Sequence, residues 1–331
     1  MAISRFSNST VANGFPKYQR FWDQSSVLIS PLNWSTATAG SVNVLGPTMG
    51  FGNNTFLIGQ RTTSTNYFTS PDGTNWTERT SPASNFAAGG WAGAYFVYFE
   101  FGTTTFYKST NGVSWTTGTV TNGVQNGRFS GPVTTDGTNG NSTVAIQSVN
   151  VNQLQVARST DGGNTWTGGS LQGASDFNGL QVAYGGSGNW AYCGELSSLG
   201  YSSDGINFSR VATPSGNSGA VFGGGGLFFF RSDTASTTYY TSTNGSNWTS
   251  RTFPITGPIN FGWLGTRWIA VANTGTATYT STDGINWTAA TGTAKSSGTS
   301  HQYTLGVNSF IGAGKIVIPN FNTNTVNLTN S

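Results

Sequence analysis

Six times along the chain an acid or its amide stands beside a glycine, and an aromatic closes the turn behind it. The stretches are Ser70-Pro71-Asp72-Gly73-Thr74-Asn75-Trp76, Ser109-Thr110-Asn111-Gly112-Val113-Ser114-Trp115, Ser159-Thr160-Asp161-Gly162-Gly163-Asn164-Thr165-Trp166, Ser202-Ser203-Asp204-Gly205-Ile206-Asn207-Phe208, Ser242-Thr243-Asn244-Gly245-Ser246-Asn247-Trp248 and Ser281-Thr282-Asp283-Gly284-Ile285-Asn286-Trp287. A carboxylate on a glycine turn is a unit of both proton transfer and hard-cation binding. Repetition argues against catalysis, because near-equivalent groups in six turns suit a repeated corner and a single active site needs no such copies. Calcium fails on ligand count: one carboxylate per turn, even in Asp161-Gly162-Gly163-Asn164, supplies too few oxygens. No metal is expected at these turns.

The carboxylates outside them are Asp23, Glu78, Glu100, Asp136, Asp176, Glu195 and Asp233, and no two are placed as a glycosidase acid and base. His301 is the sole histidine, which excludes a multi-histidine metal site within one chain, and no serine nucleophile elbow appears. Cys193 is the only cysteine, so no intrachain disulfide forms; within Trp190-Ala191-Tyr192-Cys193 it reads as a small buried hydrophobe. No catalytic residue and no cofactor is expected.

The elements that must position the turns follow from their period. The turn glycines fall at 73, 112, 162, 205, 245 and 284, in steps of 39, 50, 43, 40 and 39 residues, a period of blades, solenoid turns or arrays. Each repeat reads as four short strands. In one, Ile259 to Leu264, Arg267 to Ala272 and Ala277 to Ser281 precede the turn, and Trp287 to Ala290 follows it. Joined by Gly/Asn turns, such strands form one antiparallel meander. The apolar second strand recurs at 55–59, 95–99, 142–146, 190–193 and 227–230, with a seventh copy expected at 309–313. A seventh turn is degenerate, Ser30-Pro31-Leu32-Asn33-Trp34. These features predict an all-β propeller of seven four-stranded blades, with six or eight as alternatives. Its ring would close by pairing strands around 303–318 with Val27-Leu28-Ile29-Ser30, which leaves no open sheet edge. Glycine permits positive φ in the turn, the acid or amide accepts from the turn's own amides, and the aromatic covers the neighbouring sheet.

The chain has 331 residues, of which only 8% are charged, and 47 are glycine. Hydroxyls and amides therefore carry its solubility. The net charge of +3 is spread over single basic residues, so no nucleic-acid partner is expected. No apolar run is long enough to cross a bilayer, and no apolar h-region follows Arg5, so neither membrane insertion nor a Sec signal peptide is expected.

The pattern Ser-x-Asp/Asn-Gly-x-x-Trp resembles the Asp-box (BNR repeat) of sialidase-like and photosystem-assembly-type β-propellers, over about residues 27–320. In those families the box is a structural hairpin between third and fourth strands, neither metal site nor catalytic site. A sialidase resemblance would also imply an arginine cluster, a tyrosine nucleophile with its glutamate, and an aspartate acid. The Arg-Ile-Pro signature is absent, and Arg61 lies instead in Gly59-Gln60-Arg61-Thr62. A glycoside hydrolase is accordingly the weakest of three readings.

Aligning the repeats places Arg61, Glu100, Gln147, Glu195, Arg231, Asp233 and Asn273 at turns between second and third strands, on the rim opposite the boxes. The longest inter-blade connection, 117–135, adds Arg128 and Phe129 to that rim. Guanidiniums, carboxylates and amides with one aromatic suit a glycan ligand. Residues 1–26 match no repeat and read as an arm rich in aromatics, Phe6, Phe15, Tyr18, Phe21 and Trp22 among them, ahead of a propeller at 27–331. The opening from Met1 to Phe6 and on through Lys17-Tyr18-Gln19-Arg20-Phe21-Trp22-Asp23 resembles the start of virion proteins of tailed, especially marine, phages. That resemblance implies a virion appendage or decoration protein, docked to other virion proteins through its arm and released by lysis. A homo-oligomer is compatible with it, and a free lectin-like propeller is the alternative.

Overall fold

The computed structural model describes residues 32–40, 45–60, 66–83, 86–100, 102–122, 128–136, 143–149, 153–169, 179–194, 198–215, 219–232, 236–257, 259–272, 275–292, 294, 311–312, 315–319 and 325–330. The expected arm, 1–26, lies outside them.

Among the described residues every regular element is a strand. Blade one comprises Leu45–Gly52, Thr55–Gln60, Asn66–Ser70 and Thr77–Thr80; blade two Phe86–Trp91, Phe96–Glu100, Thr105–Ser109 and Thr116–Thr119. Blade three comprises Arg128–Thr135, Thr143–Val149, Gln153–Ser159 and Thr167–Gly169; blade four Gly179–Gly186, Asn189–Gly194, Ser198–Ser202 and Ser209–Ala212. Blade five comprises Gly219–Gly224, Leu227–Ser232, Thr238–Ser242 and Thr249–Thr252; blade six Ile259–Trp263, Trp268–Ala272, Thr278–Ser281 and Thr288–Ala289. Blade seven takes Ile311–Gly312, Lys315–Pro319 and Thr325–Asn330 from one end of the chain and Asn33–Thr38 from the other.

These strands form six hydrogen-bonded sheets, five of four strands and one of eight. The larger sheet is blades two and three, whose first strands pair in parallel with Gly131 opposite Ala88 and Pro132 opposite Gly89. The blades are of four antiparallel strands, and the six sheets come to the expected seven sets when the eight-stranded one is divided at its parallel pair.

Ring closure uses both chain ends, as expected, but other segments. Asn33–Thr38 pairs antiparallel with Thr325–Asn330, Trp34 opposite Thr329. The seventh second strand is Lys315–Pro319, not 309–313, because Gly312 opposite Lys315 repeats the pairing of Gly52 with Thr55. The eight-blade alternative needed residues 315–328 to form a hairpin of their own, and these are the middle of the seventh blade. Its third and fourth strands are not consecutive in the chain, so no hairpin turn is required there and the seventh motif is degenerate.

Second strands are apolar over most of their length, and where burial is described both faces are covered. Phe96–Phe99, Phe228–Phe230 and Trp268–Ala272 are buried in their entirety. Fourth strands such as Thr77–Thr80 and Thr249–Thr252 alternate mostly exposed residues, and threonine keeps strand propensity while tolerating water. Apolar clusters lie between successive blades: Leu57, Tyr67, Phe96 and Tyr98 between one and two, Phe99, Phe106 and Trp166 between two and three. A larger cluster joins blades five, six, seven and one through Phe229, Phe261, Val317 and Phe56. First strands of successive blades, from one through six, lie against each other, and that of blade seven lies against that of blade one.

Candidate functional site

The six turns share one hydrogen-bond pattern. In blade six Ser281 Oγ donates to Asp283 Oδ1 at 2.9 Å and accepts from the Gly284 amide at 2.8 Å. Asp283 Oδ1 accepts from the amides of Ile285 and Asn286, both at 2.8 Å, and Oδ2 from Asn286 Nδ2 at 2.7 Å. Asn111 and Asn244 accept the corresponding two amides through Oδ1 at 2.9–3.0 Å. At the lengthened turn, Thr165 supplies both its amide and its hydroxyl to Asp161.

These bonds hold the carboxyls in their charged form. At Asp283 the amides of Asn286 and Ile285 pull the pKa well below the usual carboxylate range. At Asp204 burial pushes upward, but amides of Asn207 and Ile206 outweigh it and bring the value down to about 2. Asp72 and Asp161 are lowered in the same way against the opposing push of burial. A carboxylate so engaged is a poor proton donor at neutral pH, and its oxygens face amides of its own turn.

The turns also join blades. Gly284 has φ of 70°, and a Cβ there would stand 2.6 Å from Phe229 of blade five. Glycine is thus required for both its dihedral and its closeness to the preceding blade. Tyr67 of blade one donates to Gly112 O and accepts from Trp115 Nε1 of blade two, both at 2.9 Å. Tyr239 of blade five does the same with Gly284 O and Trp287 Nε1 of blade six, again at 2.9 Å. The sequence reading missed these tyrosines; the signal was their place three residues before the turn serine.

At the opposite rim, Glu100 ends the second strand of blade two, with Thr103 Oγ1 donating to its Oε2 at 3.4 Å. Burial first, then the nearby Glu100 charge and its hydrogen bond, raise the Tyr107 phenol. Arg128 and Phe129 belong to the first strand of blade three, not to a connection, and Gln147 lies within the second strand; Phe129 stands directly opposite Gln147. Strand pairing therefore brings these three to one end of one blade.

Arg231 is inside a second strand, not in a turn, and only 3% exposed. Its guanidinium donates from Nη1 to Ser232 O and from Nη2 to Asn260 Oδ1 of blade six, both at 3.4 Å. The adjoining gap of about 10 Å³ has room for one water at most. Arg61, Glu195, Asp233 and Asn273, and Phe6, Phe15, Tyr18, Phe21 and Trp22 of the arm, lie outside the described residues. Cys193 is buried, its thiol 3.3 Å from Gly219 O. Among the described residues no group of three or more His, Cys, Asp and Glu is placed to hold a metal, and no helix is long and apolar enough to cross a membrane.

Solved structures match this architecture over most of the chain. Virginiamycin B lyase from Staphylococcus aureus superposes with a TM-score of 0.65 at 11% identity, covering 91% of this chain and 100% of that one. The fold is a β-propeller. YCF48 bound to a D1 peptide gives a TM-score of 0.62 at 13% identity, covering 96% and 99% of the two chains. The WD40 β-propeller domain of Doa1 gives 0.57 at 8%, covering 91% and 96%. At such identities the likeness concerns the fold alone, and one propeller scaffold carries many chemistries. No protein-family model matches the chain. No curated protein matches it at significant similarity.

Proposed function

We propose that the chain is a non-enzymatic recognition propeller of the Asp-box type, displayed on a tailed-phage particle through its first 26 residues. The observation that carries the recognition reading is the engagement of the repeated acids: Asp72, Asp161, Asp204 and Asp283 each accept several hydrogen bonds within their own turn. The other described carboxylates, Glu78, Glu100 and Asp136, belong to blades one, two and three respectively. Recognition is assigned to the rim where Arg128, Phe129 and Gln147 share the end of blade three, a set suited to a neutral or anionic glycan. The display reading rests on the resemblance of residues 1–23 to virion proteins.

Two measurements test this. Mass spectrometry of purified particles should find the protein in fixed stoichiometry, and a chain lacking residues 1–26 should fold yet fail to attach; protein recovered only as free soluble material would overturn display. On a glycan panel, Phe129→Ala and Arg128→Ala should each weaken binding by about tenfold, the loss of one good contact. Binding that neither change affects would remove the rim assignment.

A further inference from the structure

Two of the seven blade junctions carry the same four side chains. Between blades one and two these are Tyr67 and Trp115, joined by their hydrogen bond, with Thr69 and Arg79; between blades five and six they are Tyr239 and Trp287 with Thr241 and Arg251. Arg79 stands directly opposite Tyr67 in the fourth strand, and Arg251 opposite Tyr239. Where the third strand has Phe106, Val156 or Leu199 instead, the fourth has Gly118, Gly169 or Val211. Among the described residues, arginine takes this place only where tyrosine faces it.

Each arginine is half-buried and anchored at one end of its head: Arg79 Nε donates to Thr69 Oγ1 at 3.3 Å and Arg251 Nε to Thr241 Oγ1 at 3.2 Å. Both threonines are buried, so the anchor is fixed. No described residue accepts from the Nη groups of either arginine, and these nitrogens reach the surface. The bond to threonine thus uses one of five donors and leaves an outward, planar fork unmatched. Burial raises both phenols, and the indole hydrogen bond and then the arginine charge act downward; at Tyr239 the Asp283 charge also acts upward. The matching turn residue at the first junction is the neutral Asn111. Glu78 lies on the other face of its strand, where Asn66 donates to it, and the turn bearing Asp72 packs on blade seven, where Lys315 donates to Thr74 at 3.0 Å.

We propose that each fork is a binding site for the carboxylate of a sugar acid such as a uronate. A planar carboxylate accepts two parallel N–H bonds from a guanidinium, the geometry that an anchored head presents. Thr77 and Thr249 share the face of their arginines and are exposed, and Trp115 and Trp287 are half-buried across the two junctions. The group bearing the carboxylate therefore meets a hydroxyl and an indole edge, which suit a hydroxylated ring better than an aliphatic acid. Both sites lie on fourth strands, apart from Arg128, Phe129 and Gln147, and are independent of whatever the rim binds.

The probe is glucuronate, with glucose as a sugar without the charge and N-acetylglutamate amide as the carboxylate of a peptide. Isotope-edited NMR of the arginine Nε–H groups follows the two sites separately, at low ionic strength where exposed charges are least screened. Glucuronate should shift the Arg79 and Arg251 signals, and glucose should not. Arg79→Gln should abolish the response at its own junction, read at Trp115 Nε1–H, and leave that of Arg251 intact. Asn111→Asp should weaken binding at Arg79 by about threefold and Asp283→Asn strengthen it at Arg251 by as much, the effect of one nearby exposed charge. Both exchanges keep the turn's hydrogen bonds, since acid and amide serve equally among the six turns. Signals that ignore glucuronate, that glucose shifts as far, or that keep their affinity in both exchanges would each overturn the proposal, whether or not Arg79→Gln folds. Tighter binding of N-acetylglutamate amide than of glucuronate would overturn the sugar assignment.

Discussion

Asp283 shows what the repeated acid does: its two oxygens organise two backbone amides and one side-chain amide into a closed turn. Asn111 and Asn244 hold the corresponding amides without a charge, so the geometry, not the charge, is what the turn requires. Asp283→Asn should therefore leave Tm at pH 7 within about 1 °C, whereas Asp283→Ala, comparable to deleting a helix-capping side chain, should cost about 1 kcal/mol. The acid form adds a pH dependence. The folded pKa values of Asp72, Asp161, Asp204 and Asp283 lie below the unfolded value of about 3.9, so the contribution is complete above that pH. It is lost as pH falls toward the folded values, about 2 for Asp204. Tm measured from neutral pH downward should stay flat and then fall below about pH 4, and the fourfold Asp→Asn variant should lose part of that fall. An equal fall in the variant would contradict the role given to these carboxylates.

At the scale of the strand, close approach between blades is set by glycine. A Cβ on Gly223 in the first strand of blade five would lie 2.4 Å from Tyr184 O and 2.7 Å from Tyr184 C in blade four. Backbone atoms cannot move aside as a side-chain tip can, so Gly223→Ala should cost about 1–3 kcal/mol as an overpacking change. Urea denaturation would measure it, and a loss below about 0.5 kcal/mol would show that the first strands are not in such contact. The four-strand order was legible in sequence because the turns repeat and the second strands are unbroken apolar runs. The rim was less legible. Arg231 looked like a turn residue, yet its strand continues to Ser232 and its head is taken up by Asn260 of the next blade, a contact with no local signal. Arg128 and Phe129, expected in a connection, instead begin a first strand that carries Gly131 and Pro132, residues that weaken a strand pattern.

At the scale of the whole molecule the ring is held by one pairing between the chain's two ends. Thr38 stands opposite Thr325 in that pairing, whereas Thr238 stands opposite Thr252 within blade five. Antiparallel partners have Cα atoms about 4.5–5.5 Å apart, within disulfide reach. A cross-link at each place probes the same strand geometry with very different loops. On the chain-entropy account a loop of about 15 residues contributes about 3 kcal/mol, and one of nearly the whole chain about 5–6. In a Cys193→Ala background, the oxidised Thr38→Cys/Thr325→Cys variant should therefore gain more Tm over its reduced form than Thr238→Cys/Thr252→Cys, by a few degrees at this chain length. Equal gains would mean that the two ends already remain associated when the rest unfolds. Failure of the first pair to oxidise would show that the ring is not closed between these strands.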